Sequence, residues 1–189
     1  MAEPEKPVPP RPGHGAQAER IAGMLRVDHA GELAAVQIYR GQAAVFRGAP
    51  GQAARADAFE ALEGQEADHL KAFEALLLER GVRPSALSPL WRAAGFALGA
   101  ATALMGEKAA HACTEAVESV IEQHYAGQIR EIAGDEPELA GRLTAFRDDE
   151  LAHRDQAVEE GAHEAPGYGA LSAVIRLGCR AAIKAAERI

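Results

Sequence analysis

The sequence predicts an all-α protein, a four-helix bundle with a long crossover connection, and three observations carry that expectation. From about Ala16 onward the chain is written in Ala, Leu, Glu, Gln and Arg, with few prolines and no run of β-branched residues. That vocabulary costs little side-chain entropy in a helix and does not favour strands. Clusters of Gly and Pro then cut the chain into segments of helical length, at Gly48 to Gly51, Gly81 to Pro84, Gly134 to Pro137 and Gly161 to Gly169. Finally, the two halves of the chain repeat one set of polar residues at a nearly constant offset, the signature of a duplicated helical hairpin.

The opening MAEPEKPVPPRPGHG is rich in Pro and Gly and holds acids but no apolar run, so residues 1–15 are expected to be a flexible tail, neither a secretory signal nor a transit peptide. Residues 16–189 are expected to form a single domain. A first helix over 17–47 ends at Gly48-Ala-Pro-Gly51, and a second over 52–80 ends at Gly81-Val-Arg-Pro84. Residues 85–106 are apolar, with no charge from Ala93 to Gly106. The uncharged core of this crossover is shorter than the roughly 20 residues a membrane span requires, so the segment reads as one that docks on a membrane surface, with Trp91 and Arg92 as an interfacial anchor, or as a helix that packs on the bundle or mediates a dimer. A third long helix is expected over 107–133 and a fourth over 137–160, with Pro137 where a first turn tolerates it. The last helix, over 169–188, is amphipathic. Arg176, Arg180, Lys184 and Arg188 recur at four-residue intervals opposite Val174, Ile175 and Ile183, which suits an interfacial helix on anionic lipid.

Composition narrows the function. The 189 residues carry 28 acids against 20 bases, a net charge of −8, which argues against nucleic acid as a partner. Cys113 and Cys179 form no CxxC, so a zinc ribbon, a rubredoxin-type site and a disulfide framework are excluded, and both are expected to be small buried hydrophobes.

The chemistry lies in the repeat. Glu66-Ala-Asp-His69 and Glu150-Leu-Ala-His153 are both Glu-x-x-His, and residues three apart on a helix differ by about 60° in direction, so carboxylate and imidazole can reach one ion. Glu32 and Glu118 are each followed by Tyr at +7, Gly at +9 and Gln at +10. The offset is 86 residues for this pair and 84 for the Glu-x-x-His strings, which brings four Glu and two His together. That inventory is the one described for ferritin-like di-iron or di-manganese bundles. Two divalent cations about 3.5–4 Å apart repel each other, and four carboxylates neutralise them while two imidazoles supply ligands suited to iron. Glu115, Glu118 and Glu122 share a helix face, and the repeat selects Glu118 among them.

Arg26-Val-Asp-His-Ala-Gly-Glu32, Ile38-Tyr-Arg-Gly-Gln42, Gln65-Glu-Ala-Asp-His-Leu70, Ala112-Cys-Thr-Glu-Ala-Val-Glu118, Phe146-Arg-Asp-Asp-Glu-Leu-Ala-His153 and Gly178-Cys-Arg180 resemble the demethoxyubiquinone hydroxylase family of ubiquinone biosynthesis, from about Ile21 to the C-terminus. The resemblance implies a di-iron monooxygenase that hydroxylates the ring of a polyprenylated demethoxyubiquinol with O2. It places two iron ions (Fe2+) per chain on Glu32, Glu66, His69, Glu118, Glu150 and His153. Some relatives have a second Glu after the third-helix ligand, where this chain has Ser119. His124 and Tyr125 are the candidate catalytic residues, as outer-sphere or electron-relay groups. Tyr39 and Tyr125 each lie two turns beyond a ligand on its own face, so both are expected to hydrogen-bond site carboxylates. Reducing equivalents must come from outside or from the quinol, because the chain has no GxGxxG fingerprint. The expected location is the cytoplasmic side of the bacterial inner membrane, bound peripherally. A homodimer partner and an accessory lipid-presenting protein of ubiquinone biosynthesis are both left open. A ferritin or rubrerythrin type of iron-storage or peroxide-handling protein would share the six ligands, but a soluble cage subunit has no use for an apolar crossover and a basic last helix.

Overall fold

The computed structural model describes residues 14–187, so most of the expected tail and the end of the last helix at 188 lie outside the described residues. Within them the protein is all-α, with no strand. The helices are α1 (His14–Gly48), α2 (Ala53–Arg80), α3 (Ser88–Leu104), α4 (Glu107–Ile132), α5 (Pro137–Glu159) and α6 (Tyr168–Ala186), with one 3-10 turn at Ala162–Glu164. The breakers act where the sequence puts them. Gly81 takes φ 63°, and the Val82 N–H closes α2 on the Leu77 carbonyl at 2.8 Å, a left-handed cap that favours glycine. Gly106, at φ 113°, makes the sharp joint between α3 and α4. Helix α1 begins at His14, two residues ahead of the expected domain start.

Two antiparallel hairpins, α1/α2 and α4/α5, make the bundle. Phe46 stacks on Phe59 at 5.5 Å where the first hairpin turns, while Ile21 and Leu25 meet Leu76 and Leu77 at its open end. Two of the core clusters lie inside the bundle itself. One cluster gathers Leu25, Phe73, Tyr125, Ile132 and Leu143, and the other gathers Tyr39, Phe46, Phe59 and Leu62. The polar centre is flanked by these apolar clusters, so water is kept from it along the bundle axis.

Each hairpin carries a covering helix. Helix α3 crosses α1 backbone to backbone. A Cβ on Gly99 would stand 1.9 Å from the Ile38 carbonyl oxygen, one on Gly95 2.6 Å from that of Ala34, and one on Gly41 2.4 Å from that of Phe96. Only glycine permits this approach, and Gly95 and Gly99 one turn apart make the groove into which α1 fits. Helix α6 packs Leu171, Ile175 and Cys179 on Cys113, Ala116 and Val117 of α4. Its inner face is also pinned by charge. Arg176 meets Glu115 at 2.5 Å, and the hydroxyls of Tyr168 and Ser172 donate to the same carboxylate at 3.1 and 3.4 Å. Arg176 therefore does not belong to the exposed basic stripe: Arg180 and Lys184 stay in solvent, while Arg176 turns inward. Cys113 is fully buried as expected, whereas Cys179 is half-buried.

Candidate metal centre

All six residues of the repeat arrive at one place. Glu32 comes from α1, Glu66 and His69 from α2, Glu118 from α4, and Glu150 and His153 from α5. The four glutamates are at most 1 % exposed, and the two histidines are also buried. They fall into two sets whose donor atoms lie within 4.8 Å of one another: Glu32, Glu66, His69 and Glu150, and Glu66, Glu118, Glu150 and His153. Glu66 and Glu150 belong to both. Two overlapping sets of this kind would suit two adjacent ions, and exchanging the two halves of the chain turns one set into the other.

The orientation of each group suits ligation. His69 Nδ1 lies 3.4 Å from Glu150 and 3.7 Å from both Glu32 and Glu66, while its Nε2 faces Asp149 at 3.1 Å. His153 Nδ1 lies 2.9 Å from Glu66 and 3.4 Å from Glu150, while its Nε2 faces the side-chain oxygen of Gln65 at 2.8 Å. Both imidazoles thus turn Nδ1 inward and are oriented from behind through Nε2, as metal-ligating histidines usually are. Glu32 and Glu118 are each held by a phenol: Tyr125 donates to Glu32 and Tyr39 to Glu118. Every one of these outer bonds crosses between the repeats. The tyrosine of one repeat holds the glutamate of the other, and the residue preceding each bridging glutamate faces the other repeat's histidine.

A divalent metal fits what remains. Glu32 Oε2, Glu118 Oε2, both oxygens of Glu66 and of Glu150, and Nδ1 of His69 and of His153 are buried with no hydrogen bond of normal geometry. Interiors seldom leave such atoms unpaired. Eight in one place, all oxygen or imidazole nitrogen, form a donor set suited to divalent first-row metals. Without cations the cluster is electrostatically tense. Burial pushes Glu32 and Glu118 well above the usual carboxylate range, and the neighbouring charges of Glu66 and Glu150 push in the same direction. Burial opposes charge on Glu66 as well, but His153 and His69 beside it hold its carboxyl at about 2. The imidazolium of His153 is disfavoured by burial, yet Glu150 and Glu66 raise it to about 9, and His69 is raised still further by Glu150, Glu32 and Glu66.

The other predicted site residues divide. Tyr125 is fully buried against Glu32, as expected. His124 does not reach the cluster. It is partly exposed and faces buried Asp28 at 3.4 Å and Gln128 at 3.0 Å, and Gln128 also donates to Asp28 at 2.8 Å. Glu115, the near neighbour that periodicity could not separate from Glu118, is committed to α6. Sequence reasoning did not single out Asp149 and Gln65. Their signal was present, a polar residue immediately before each bridging glutamate at the same 84-residue offset.

A helical bundle with inward Glu and two Glu-x-x-His strings defines a ferritin-like protein with a carboxylate–histidine centre. More particularly, the chain belongs to the family described as Ubiquinone biosynthesis protein COQ7, whose family model matches residues 19–186. It is 44% identical over 178 residues to the 3-demethoxyubiquinol 3-hydroxylase of Rhodospirillum rubrum, covering 94% of this chain and 82% of that protein. It is 45% identical to the mitochondrial NADPH-dependent 3-demethoxyubiquinone 3-hydroxylase of Homo sapiens, covering 92% and 79%. To the mitochondrial 5-demethoxyubiquinone hydroxylase of Saccharomyces cerevisiae it is 42% identical, covering 92% and 80%.

Proposed function

We propose that this protein is a 3-demethoxyubiquinol 3-hydroxylase, an O2-dependent monooxygenase that hydroxylates the ring of a polyprenylated demethoxyquinol at a centre of two iron ions. The observation that carries this reading is the pair of ligand sets sharing Glu66 and Glu150, in a chain more than 40% identical to proteins named for that reaction. When bound, two ferrous ions supply the two electrons that triplet dioxygen needs before one of its atoms can enter a closed-shell ring and the other leave as water.

The chain's own residues prepare that chemistry. Glu66 and Glu150 would be shared between two ions, with Glu32 and His69 available to hold one and Glu118 and His153 the other. Tyr39 and Tyr125 keep the terminal glutamates aimed inward, and Asp149 and Gln65 fix the imidazoles in the rotamer that presents Nδ1. The apolar clusters on either side exclude water from the reacting centre. His124, partly exposed and joined to buried Asp28 and Gln128, links the edge of the site to solvent beside Tyr125. The reductant comes from outside the chain; the human relative is named NADPH-dependent.

A polyprenyl quinol is a bilayer molecule, and the outer faces of α3 and α6 suit that source. Leu90, Phe96, Leu104, Met105, Val174 and Leu177 are exposed there, with Arg92, Arg180 and Lys184 also in solvent. Among the described residues no helix is long and apolar enough to cross a membrane, so docking is peripheral, on the cytoplasmic face of the inner membrane in our reading.

The deciding assay supplies a short-tailed demethoxyubiquinol, a reductant and heavy-isotope O2 to iron-loaded protein. One labelled oxygen is expected in the new hydroxyl. Product whose hydroxyl carries no label defeats the monooxygenase reading.

A further inference from the structure

A pocket opens between α1, α3, α4 and α6, and its walls are almost wholly carbon. Ala30, Gly31 and Ala34 of α1 face Val117 and Val120 of α4, with Ile183 of α6 closing the outer side. No residue of α2 or α5 lines it. Gly31 immediately precedes Glu32 and Val117 immediately precedes Glu118, so two wall residues are chain neighbours of the two terminal carboxylates. The space beside Gly31 is open, since a Cβ there would meet nothing within 4 Å.

Apart from the weakly polar thiol of Cys179, one polar group interrupts the carbon. The indole of Trp91 forms part of the wall, packed with Val27, Ala30, Ile183 and Ala186, and its Nε1 is buried with no acceptor among the described residues. An unpaired donor inside protein is costly, and a bound acceptor recovers the loss. Water is a poor candidate, because an ordered water needs two to four polar partners and beyond the indole this wall offers only the weakly bonding thiol of Cys179. A prenyl chain has no acceptor at all. A phosphate or carboxylate would need a cation, and no charged side chain lines the pocket. The remaining chemistry is a neutral oxygen acceptor on an otherwise apolar molecule, and the quinol ring of the proposed substrate is one.

We propose that Trp91 is a substrate-reading residue: its Nε1–H donates to a ring oxygen of a methoxylated quinone or quinol whose opposite edge points toward Glu32 and Glu118. This rests on the function proposed for the chain and adds the group that recognises the ring.

Trp91 is the one tryptophan in the sequence, so its indole N–H gives a single, assignable proton–nitrogen resonance in the full-length protein. Addition of 2-methoxy-5-methyl-1,4-benzoquinone is expected to move that resonance downfield, and p-xylene, a ring of similar size without oxygen, is expected to leave its hydrogen-bonding shift unchanged. In calorimetric titrations of the iron-loaded protein, Trp91→Phe should weaken quinone binding about 10-fold while p-xylene binding stays within about 2-fold, the loss expected for one neutral hydrogen bond and its stranded partner. An indole resonance unmoved by saturating quinone overturns the proposal, whether or not the variant folds. So does a Trp91→Phe loss that is equal for both probes, because the indole would then act only by its shape. Quinone binding that meets these expectations without labelled hydroxylation would leave Trp91 in place and sink the enzymatic reading instead.

Discussion

Glu66 and Glu150 are the side chains that both ligand sets share, and stoichiometry separates them from Glu32 and Glu118. If the centre holds the proposed two irons per chain, Glu32→Gln or Glu118→Gln should reduce bound iron to one, whereas Glu66→Gln or Glu150→Gln should leave none tightly bound; metal analysis after reconstitution reads the difference. Tyr125→Phe and Tyr39→Phe remove a hydrogen bond behind a proposed ligand and not the carboxylate itself, so both should fold, keep the wild-type metal stoichiometry and lose about 10-fold in metal affinity. The direction of the pH effect follows from the groups themselves. Glu32, Glu118, His69 and His153 hold their protons more tightly than usual in the metal-free protein, and each must release its proton to ligate. Metal affinity should therefore rise from pH 6 toward pH 9, with proton release on binding; chelator competition at pH 6 and pH 8 giving equal affinities would refute this. At this scale much of the site was legible. The six ligands follow from Glu-x-x-His and the repeat, but who holds whom does not, because Tyr39 and Tyr125 serve the opposite repeat and a helix face predicts direction without naming the partner across the bundle. Asp149 was hidden for a different reason: 59% of its side chain is exposed, and it reads like any solvated acid.

At the level of helices, glycine and proline placed every break within a few residues, since local backbone chemistry decides where a helix stops. What the breakers could not convey was how the covering helices attach. The apolar run 85–106 reads equally well as membrane surface or packing surface, and α3 is both: Gly95 and Gly99 lie against α1 while Leu90, Phe96 and Leu104 face outward. Gly99→Ala should therefore be severely destabilising, because its Cβ would overlap a backbone carbonyl that cannot yield. Gly64→Ala, in open space within α2, should instead stabilise by roughly 0.5–1 kcal/mol. Paired chemical denaturation curves would show opposite signs. The basic stripe of α6 was misread at one position for a similar reason. Four-residue spacing put Arg176 with Arg180 and Lys184, but Glu115 lies opposite Arg176 alone. Glu115→Ala should release α6, seen as faster amide exchange across Tyr168–Ala186 with α2 and α5 unchanged; uniform protection would mean that apolar packing alone holds the helix.

The whole molecule has a directional build. Both covering helices lie against α1 and α4, so the exposed apolar side chains of α3 and α6 and the pocket between them open away from the α2 and α5 ligands. On the proposed docking at a membrane surface, a lipid quinol would enter from that side. Leu104→Glu together with Leu177→Glu should lower binding to anionic liposomes by at least 10-fold in flotation assays, since each loses the insertion of a large apolar side chain. Unchanged flotation would assign these faces to a second copy or a lipid-presenting partner. The crossed bonds of the metal centre carry a further consequence. Each half of the chain is a hairpin with one covering helix, and each lends its tyrosine and its Nε2 partner to the other. That is the geometry of an isologous homodimer, in which each subunit's patch completes its twin, written here into one polypeptide. Cut at the Gly106 joint, neither fragment would own a finished ion position, and the two would regain one only by finding each other.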